Sequence, residues 1–485
     1  MKNKPYANLK VYSLLALLGL SAIIPSIAMS SELLALLDVL KENGAITAAQ
    51  YDRLRRQTEA AAPLPGGDCR PESPAAKPAD HSRATIAAAA RLDDRDQKPR
   101  SEPAAPKDKD KDKDKDSGAI VKTKGGLSIE SADEAFAFEL GGNLWVDGAA
   151  YSEDTSSLGN GVDLRRARLK LEGRLFTDWG YQAEYGFAGN EAEVKDAYVA
   201  YEGFDDLAIK LGQFKEPVSL EEQTSGSNIT FMERALPVEA FSPGRKLGLG
   251  VTSGGKDWSA AGGVFGEAIG DDTDDEGDSG WALAARVTHA PIDSKGRLVH
   301  LGASAQYQNT DAQNEVRYRT RPESNVTDQR LVDTRSIQEA SEILTWGLEG
   351  AGAVGPVSIQ GEYLKVGVDR RDAQPKLDFD GWYLFAAWLI TGEERIYDAS
   401  QGRFEGVDPE GPYGALELAL RYSTIDLDDA DILGGQQQDV TLGLNWYLKR
   451  NLRFMTNYIW VDADPDRNGE RDRPNVFQFR VQLDF

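Results

Sequence analysis

One cysteine, Cys69, stands in 485 residues, so no internal disulfide can form and stability must come from a large packed or closed structure. Histidine is almost as scarce. His81 lies in a low-complexity stretch, and His289 and His300 flank the turn Pro291–Gly296, which reads as a hairpin rim. With no zinc-ligand spacing, phosphate-cradling loop or glycine-rich nucleotide motif, the chain gives no reason to expect a metal, a cofactor or a catalytic group. Basic charge is also short. There are 55 Lys+Arg against 79 Asp+Glu, a net charge of −24, which argues against nucleic acid or anionic lipid as the partner. Beyond residue 30 every apolar run is broken by charge or glycine within about ten residues, whereas a membrane helix needs about 20.

What is present begins with Lys2, Lys4 and Lys10, followed by an apolar stretch from Val11 to Ala28 and small residues at Ala28 and Ser30. Residues 1–30 therefore read as a signal peptide that is cleaved on export, with the mature chain starting near Ser31. From Ser31 to Thr58 the spacing of Leu33, Leu34, Leu36, Leu37 and Leu40, a stop at Gly44 and the capping box Thr47–Gln50 predict a short α-helical hairpin. It is too small to bury a core alone, so its leucine face suits self-association, packing on itself, or a periplasmic or cell-wall contact. Residues 59–126 are rich in Ala, Pro and Asp and end in the alternating run Lys107–Asp116, a composition expected to stay disordered as a linker. The first 126 residues carry a slight basic excess, so the 359 residues from Leu127 are even more acidic than the whole. Clusters such as Asp271–Glu276 fit long solvated loops.

Residues 127–485 carry the pattern of strands with one oily face and one wet face. Phe477, Phe479, Val481, Leu483 and Phe485 alternate with Gln478, Arg480, Gln482 and Asp484. Ala167, Leu169, Leu171, Gly173 and Leu175 oppose Arg166, Arg168, Lys170, Glu172 and Arg174. Leu207, Ile209 and Leu211 oppose Lys210, and Val440, Leu442, Leu444 and Trp446 oppose Thr441, Gly443 and Asn445. Leu301, Ala303, Ala305 and Tyr307 share a face, while Trp382, Leu384, Ala386, Trp388 and Ile390 belong to a strand apolar on both faces. With 48 Gly, 17 Tyr, 16 Phe and 9 Trp and a mean hydropathy of −0.47, the expected fold is an all-β transmembrane barrel. At roughly 22 residues per strand with its share of turn, it has about 16 antiparallel strands, enough to enclose water. A soluble secreted β-protein is the competing reading.

Ordered motifs then add a resemblance. Leu164–Leu169 (LRRARL), Phe187–Gly189, Lys195–Tyr198, Gly212–Pro217 (GQFKEP), Thr230–Arg234 (TFMER), Ile390–Glu393 and the terminal Phe477–Phe485 together resemble the phosphate-selective porins of the O and P type. The resemblance covers essentially all of 127–485. It implies a homotrimeric outer-membrane porin, in contact with lipid and lipopolysaccharide, that passes small phosphate-like anions. It also implies that Lys215 to Lys246 fold inward as a constriction loop, with Lys215, Arg234, Arg245 and Lys246 as its cations. An ordinary extracellular loop is the alternative there.

Fixed cations in series lower the free energy of an anion in a pore, and several weak sites let it leave. The candidates are Arg165, Arg166, Arg168, Lys170 and Arg174 on one strand, with Lys210, Arg286 and Arg421 on others. Arginine adds bidentate geometry suited to phosphate oxygens. The competing reading is a structural lattice in which these cations pair with carboxylates such as Glu172, Glu184 and Glu417. No Lys or Arg falls between Lys215 and Arg234, and the barrel is acidic, so a general porin and an envelope-tethering barrel stay open. A tether predicts that a chain lacking residues 31–126 weakens envelope integrity while single-channel conductance stays at the full-length value; a changed conductance would assign that region to the pore instead.

Overall fold

The computed structural model describes residues 119–122, 126–189, 192–270, 279–310, 314–464 and 470–485. The signal peptide, the 31–58 hairpin, most of the 59–126 linker and the acidic cluster Asp271–Glu276 lie outside the described residues. The chain enters β-structure at Ala119 rather than at Leu127: β1 (Ala119–Lys122) pairs with β2 (Leu127–Ser131), which pairs with the start of β3 (Ala137–Ser152). The end of the expected linker is thus a strand.

From β3 the chain runs up and down: β4 (Gly161–Leu175), β5 (Trp179–Gly186), β6 (Glu193–Phe204), β7 (Leu207–Lys215), β8 (Arg245–Gly254), β9 (Trp258–Phe265), β10 (Trp281–Ser294) and β11 (Arg297–Asn309). A small ladder of β12 (Arg319–Thr320) and β13 (Val332–Asp333) interrupts the series. It resumes with β14 (Ala340–Val354), β15 (Val357–Arg370) and β16 (Leu377–Leu389). A second small ladder, β17 (Tyr397–Asp398) with β18 (Arg403–Phe404), precedes β19 (Ala415–Asp429), β20 (Ile432–Lys449), β21 (Leu452–Asp464) and β22 (Asn475–Asp484). Apart from β1, β2 and the two ladders, each strand pairs antiparallel with its neighbours. β22 returns to β3 from Asn475↔Ser152 to Asp484↔Asn143 and closes a 16-stranded barrel. Closure satisfies the backbone groups of every strand, which lipid requires because it offers no hydrogen bonds.

Alternation then sorts the side chains. In β22, Phe477, Phe479, Val481 and Leu483 are exposed on the outer wall while Val476, Gln478, Arg480 and Gln482 are buried inside. β20 repeats the pattern with Leu442, Leu444 and Trp446 outside and Thr441 and Asn445 inside. Aromatic pairs ring the outer wall at two levels. Trp281–Tyr307, Trp346–Tyr363, Trp382–Tyr422 and Tyr458–Trp460 form the upper ring, and Trp179–Tyr201, Phe136–Phe176 and Trp446–Phe454 form the lower. Such girdles sit at the two membrane interfaces, where an amphipathic ring is most stable.

Three segments fill part of the interior. Residues 216–244, between β7 and β8, carry α1 (Leu220–Gln223) and α2 (Leu236–Phe241). α1 is capped by the Ser219 hydroxyl, which accepts from the Glu222 amide. Residues 314–339, between β11 and β14, also turn inward: the Thr441 hydroxyl donates to Glu323 and the Gln478 amide group to the Glu323 carbonyl. The third is a periplasmic connection, residues 390–414 between β16 and β19. α2 packs on β15, β16 and β19, placing Leu236, Val238 and Phe241 in one apolar cluster with Leu364, Val366, Phe379 and Phe385. That contact is why β16 reads as apolar on both faces: Trp382, Leu384 and Trp388 face lipid, Phe379, Tyr383 and Phe385 meet the inward loop, and Leu389 packs with Val407, Ala415 and Tyr447.

Placing charge on the oily wall tests this assignment. Leu442→Arg is expected to destabilise the barrel by about 2–4 kcal/mol if the site lies near the bilayer midplane, read from denaturant titration in lipid vesicles; unchanged stability would remove Leu442 from the lipid face.

Candidate functional site: the charged inner wall

Inside the barrel the wall is uneven. The apolar cluster occupies the side of β14–β16 and β19, whereas solvent reaches inward side chains along β4 to β8. Side-chain exposure is 35% at Lys170, 24% at Arg165 and 21% at Arg245, against 5% at Arg286 and 1% at Arg421 and Arg480. The aqueous part of the lumen therefore lies against β4–β8.

β4 supplies the cations through one irregularity. Trp145↔Arg166 and Asp147↔Asp163 are consecutive pairs of the ladder, so Leu164 and Arg165 oppose Val146 alone. This bulge turns both Arg165 and Arg166 inward, where strict alternation would send one of them into lipid. Below them Arg168 and Lys170 follow on the inner face, and Arg174 is exposed at the periplasmic end.

Most of these cations are matched. Arg165 grips Glu233 in bidentate fashion, both contacts 2.8 Å. Arg168 meets Glu184 at 2.7 Å, Lys170 meets Glu172 at 2.6 Å, and Arg245 meets Asp196 at 2.8 Å. Lys215 and Arg234 share Glu222, at 3.0 and 2.8 Å. Arg286 chelates Glu349 at 2.6 Å, and Arg421 meets Glu323 at 2.5 Å and Glu221 at 3.5 Å. Eight of the twelve cations singled out in the sequence are thus ion-paired. Two of the carboxylates anchor the 216–244 loop. Burial alone would raise both carboxyls, but Arg165 and Arg480 hold Glu233 below the usual carboxylate range, as Arg234 and Lys215 do Glu222.

Arg166 differs. Among the described residues it makes no ion pair or hydrogen bond; its guanidinium lies over the Trp145 ring, 3.7 Å from the centroid, and its Nε is buried without a partner. Arg165 and Arg168 flank it on β4. Gly226 of the 216–244 loop approaches so closely that a Cβ there would stand 2.7 Å from an Arg166 Nη. Lys210 is also free of carboxylate contact among the described residues, its ammonium 4.1 Å from the Tyr198 ring centroid. Lys246 has no ion pair among the described residues; it sits at the root of the loop, opposite Phe214 in the β7–β8 ladder.

Arg453 and Arg480 were missed as site residues, although the alternation of the last strand already placed Arg480 on the wet face. Arg480 chelates Asp147 at 2.7 Å and also meets Glu233 at 2.6 Å and the Met232 carbonyl at 2.6 Å. Arg453 donates to the carbonyls of Ile229 and Thr230 at 2.8 and 3.0 Å. These contacts seat the 216–244 loop inside the barrel. A further departure is His300: instead of lying on a hairpin rim it faces inward at 0% exposure.

A closed barrel, oily outside, with a charged and partly open interior narrowed by an inward loop, defines an outer-membrane porin. The family profile described as phosphate-selective porin O and P matches residues 138–485. Porin O of Pseudomonas aeruginosa is 28% identical over 76% of this chain and 92% of its own length. An uncharacterized protein of Caulobacter vibrioides is 31% identical over 98% of this chain and 96% of its own. Among solved structures, in-vitro folded OmpT of Vibrio cholerae superposes with a TM-score of 0.49 at 12% identity, covering 72% of this chain and 98% of that one. The chain belongs to the phosphate-selective porin O and P family and resides in the bacterial outer membrane.

Because Glu233 neutralises two arginines at once, Glu233→Ala leaves Arg165 and Arg480 with uncompensated charge. A loss of about 3–5 kcal/mol is expected, measured by denaturant unfolding together with altered single-channel conductance as the loop loosens; wild-type behaviour in both would show that the loop is held elsewhere.

Proposed function

We propose that this porin passes small inorganic anions of the phosphate class, with Arg166 as the central station of the path. The observation that supports this is the uncompensated Arg166 guanidinium, held on Trp145 where the constriction loop approaches. An anion there meets a fixed positive charge without first breaking an ion pair, so its desolvation is offset by charge-assisted contacts. Lys210 gives a second, separate cation, and weak stations in series allow release. The matched pairs around them contribute shape and a nearly neutral lining. This chemistry is passage rather than catalysis. The homotrimer implied by the family resemblance is the assembly proposed for the channel, with its oily wall in lipid and lipopolysaccharide.

A weakly selective porin is the second reading, favoured by the pairing of eight cations with carboxylates. The two separate in a planar bilayer. The first requires a reversal potential of anionic sign in a salt gradient, block of chloride current by inorganic phosphate, and a roughly two- to threefold loss of anion preference in Arg166→Ala. Cation preference, or an Arg166→Ala reversal potential equal to wild type, would leave a general porin.

A further inference from the structure

Trp145 and Arg166 face each other across the β3–β4 ladder, and both side chains are buried inside the barrel. Beside them Arg165 and Arg168 are matched by Glu233 and Glu184, so Arg166 has a ring where its neighbours have a carboxylate. The two partners act differently. A carboxylate cancels a guanidinium charge and an arriving anion must displace it, whereas the π face of an indole attracts the cation and leaves its charge intact. Arg480, the ring's other cationic neighbour at 4.8 Å, is already chelated by Asp147, so of the two only Arg166 is open to an anion.

An indole holds a guanidinium in one place only if the ring itself is fixed. Its N–H supplies the tether: Trp145 Nε1 donates to Asp484 Oδ1 at 3.1 Å, at the end of β22. The same oxygen accepts from the Ser227 hydroxyl at 3.2 Å, and the Gln482 amide group donates both to Asp484 at 2.8 Å and to the Ser227 carbonyl at 3.0 Å. Ser227 follows Gly226, whose missing side chain leaves room for the Arg166 guanidinium; a Cβ there would stand 2.7 and 2.8 Å from its two Nη atoms. The contacts therefore close on themselves: Arg166 on the ring, the ring to Asp484, Asp484 to Ser227, and the adjoining Gly226 against Arg166.

We infer that Trp145 is the positioning residue of the anion station, with Asp484 and Gln482 as its tether to the 216–244 loop. The ring keeps the Arg166 charge unneutralised, and the tether sets the gap between that charge and Gly226 through which an inorganic anion passes. This rests on the passage reading above. Its test uses the full chain, in planar bilayers and in lipid vesicles. Trp145→Leu, which removes the ring, is expected to raise the phosphate concentration that half-blocks chloride current roughly fivefold, and Trp145→Phe, which keeps a π face, to restore most of that loss. Asp484→Ala, which cuts the tether and leaves ring and charge in place, is expected to raise it roughly twofold. The emission of Trp145 gives a direct readout. Although the ring is buried, iodide, an anion able to reach Arg166, is expected to quench it and phosphate to protect it, seen as the part of the wild-type signal that Trp145→Phe lacks. A wild-type half-block in Trp145→Leu, or iodide quenching identical in wild type and Trp145→Phe, would overturn the inference and leave the passage reading standing. A folded wild type whose chloride current phosphate does not block would overturn the passage reading and this inference with it.

Discussion

The hydrogen-bond ladder between β22 and β3 is the contact on which everything else depends. Without it two strands would present unpaired backbone groups to lipid, where each costs several kcal/mol. With it, the sheet has no edge within the bilayer and its inside and outside become separate solvents. Alternation along each strand then serves two environments at once: leucine, valine and aromatic side chains meet acyl chains while glutamine, arginine and carboxylate side chains meet the interior. The pattern tolerates no one-residue slip, because a slip would exchange the two faces.

The interior poses a second electrostatic problem. Arginines such as Arg480, Arg421, Arg453 and Arg286 are almost fully buried, and an isolated charge there would be strongly destabilising. Carboxylates resolve it: Asp147, Glu233, Glu221, Glu323, Glu417 and Glu349 stand within ion-pair distance. Several of them lie on the inward loops, so charge compensation and loop placement are one event. The acidic balance that argued against an anion pathway is partly accounted for in this way, as interior acid holds interior base. Arg166 is the clearest of the cations left without a carboxylate partner among the described residues.

The inward segments divide the lumen as well as narrow it. α2 covers the wall of β15, β16 and β19 with an apolar seam. The 390–414 connection approaches from the opposite end, and Asn228 of the 216–244 loop donates to its Glu405. Both segments are tied to the wall by buried arginines that donate to backbone carbonyls, Arg453 and Arg480 to the loop and Arg286 to Gly402.

The period of two residues, the aromatic terminal strand and the length were enough to read a barrel of about 16 strands from the chain alone, because lipid on one side and water on the other impose that period on every strand. The inward faces of Arg166, Arg168, Lys170, Lys210, Arg286 and Arg421 were legible for the same reason. Other features were not. That Arg165 joins Arg166 inside depends on a bulge, a local fault in pairing that leaves no mark on alternation. That eight cations are neutralised depends on partners as distant along the chain as Glu233 from Arg165 or Glu323 from Arg421, since pairing is set by where strands and loops meet. That residues 314–339 and 390–414 turn inward beside the expected loop depends on tertiary contacts with Thr441, His300 and Arg286. Composition and period decide which face of a strand a residue occupies; only closure of the barrel decides which charge it finds on the other side.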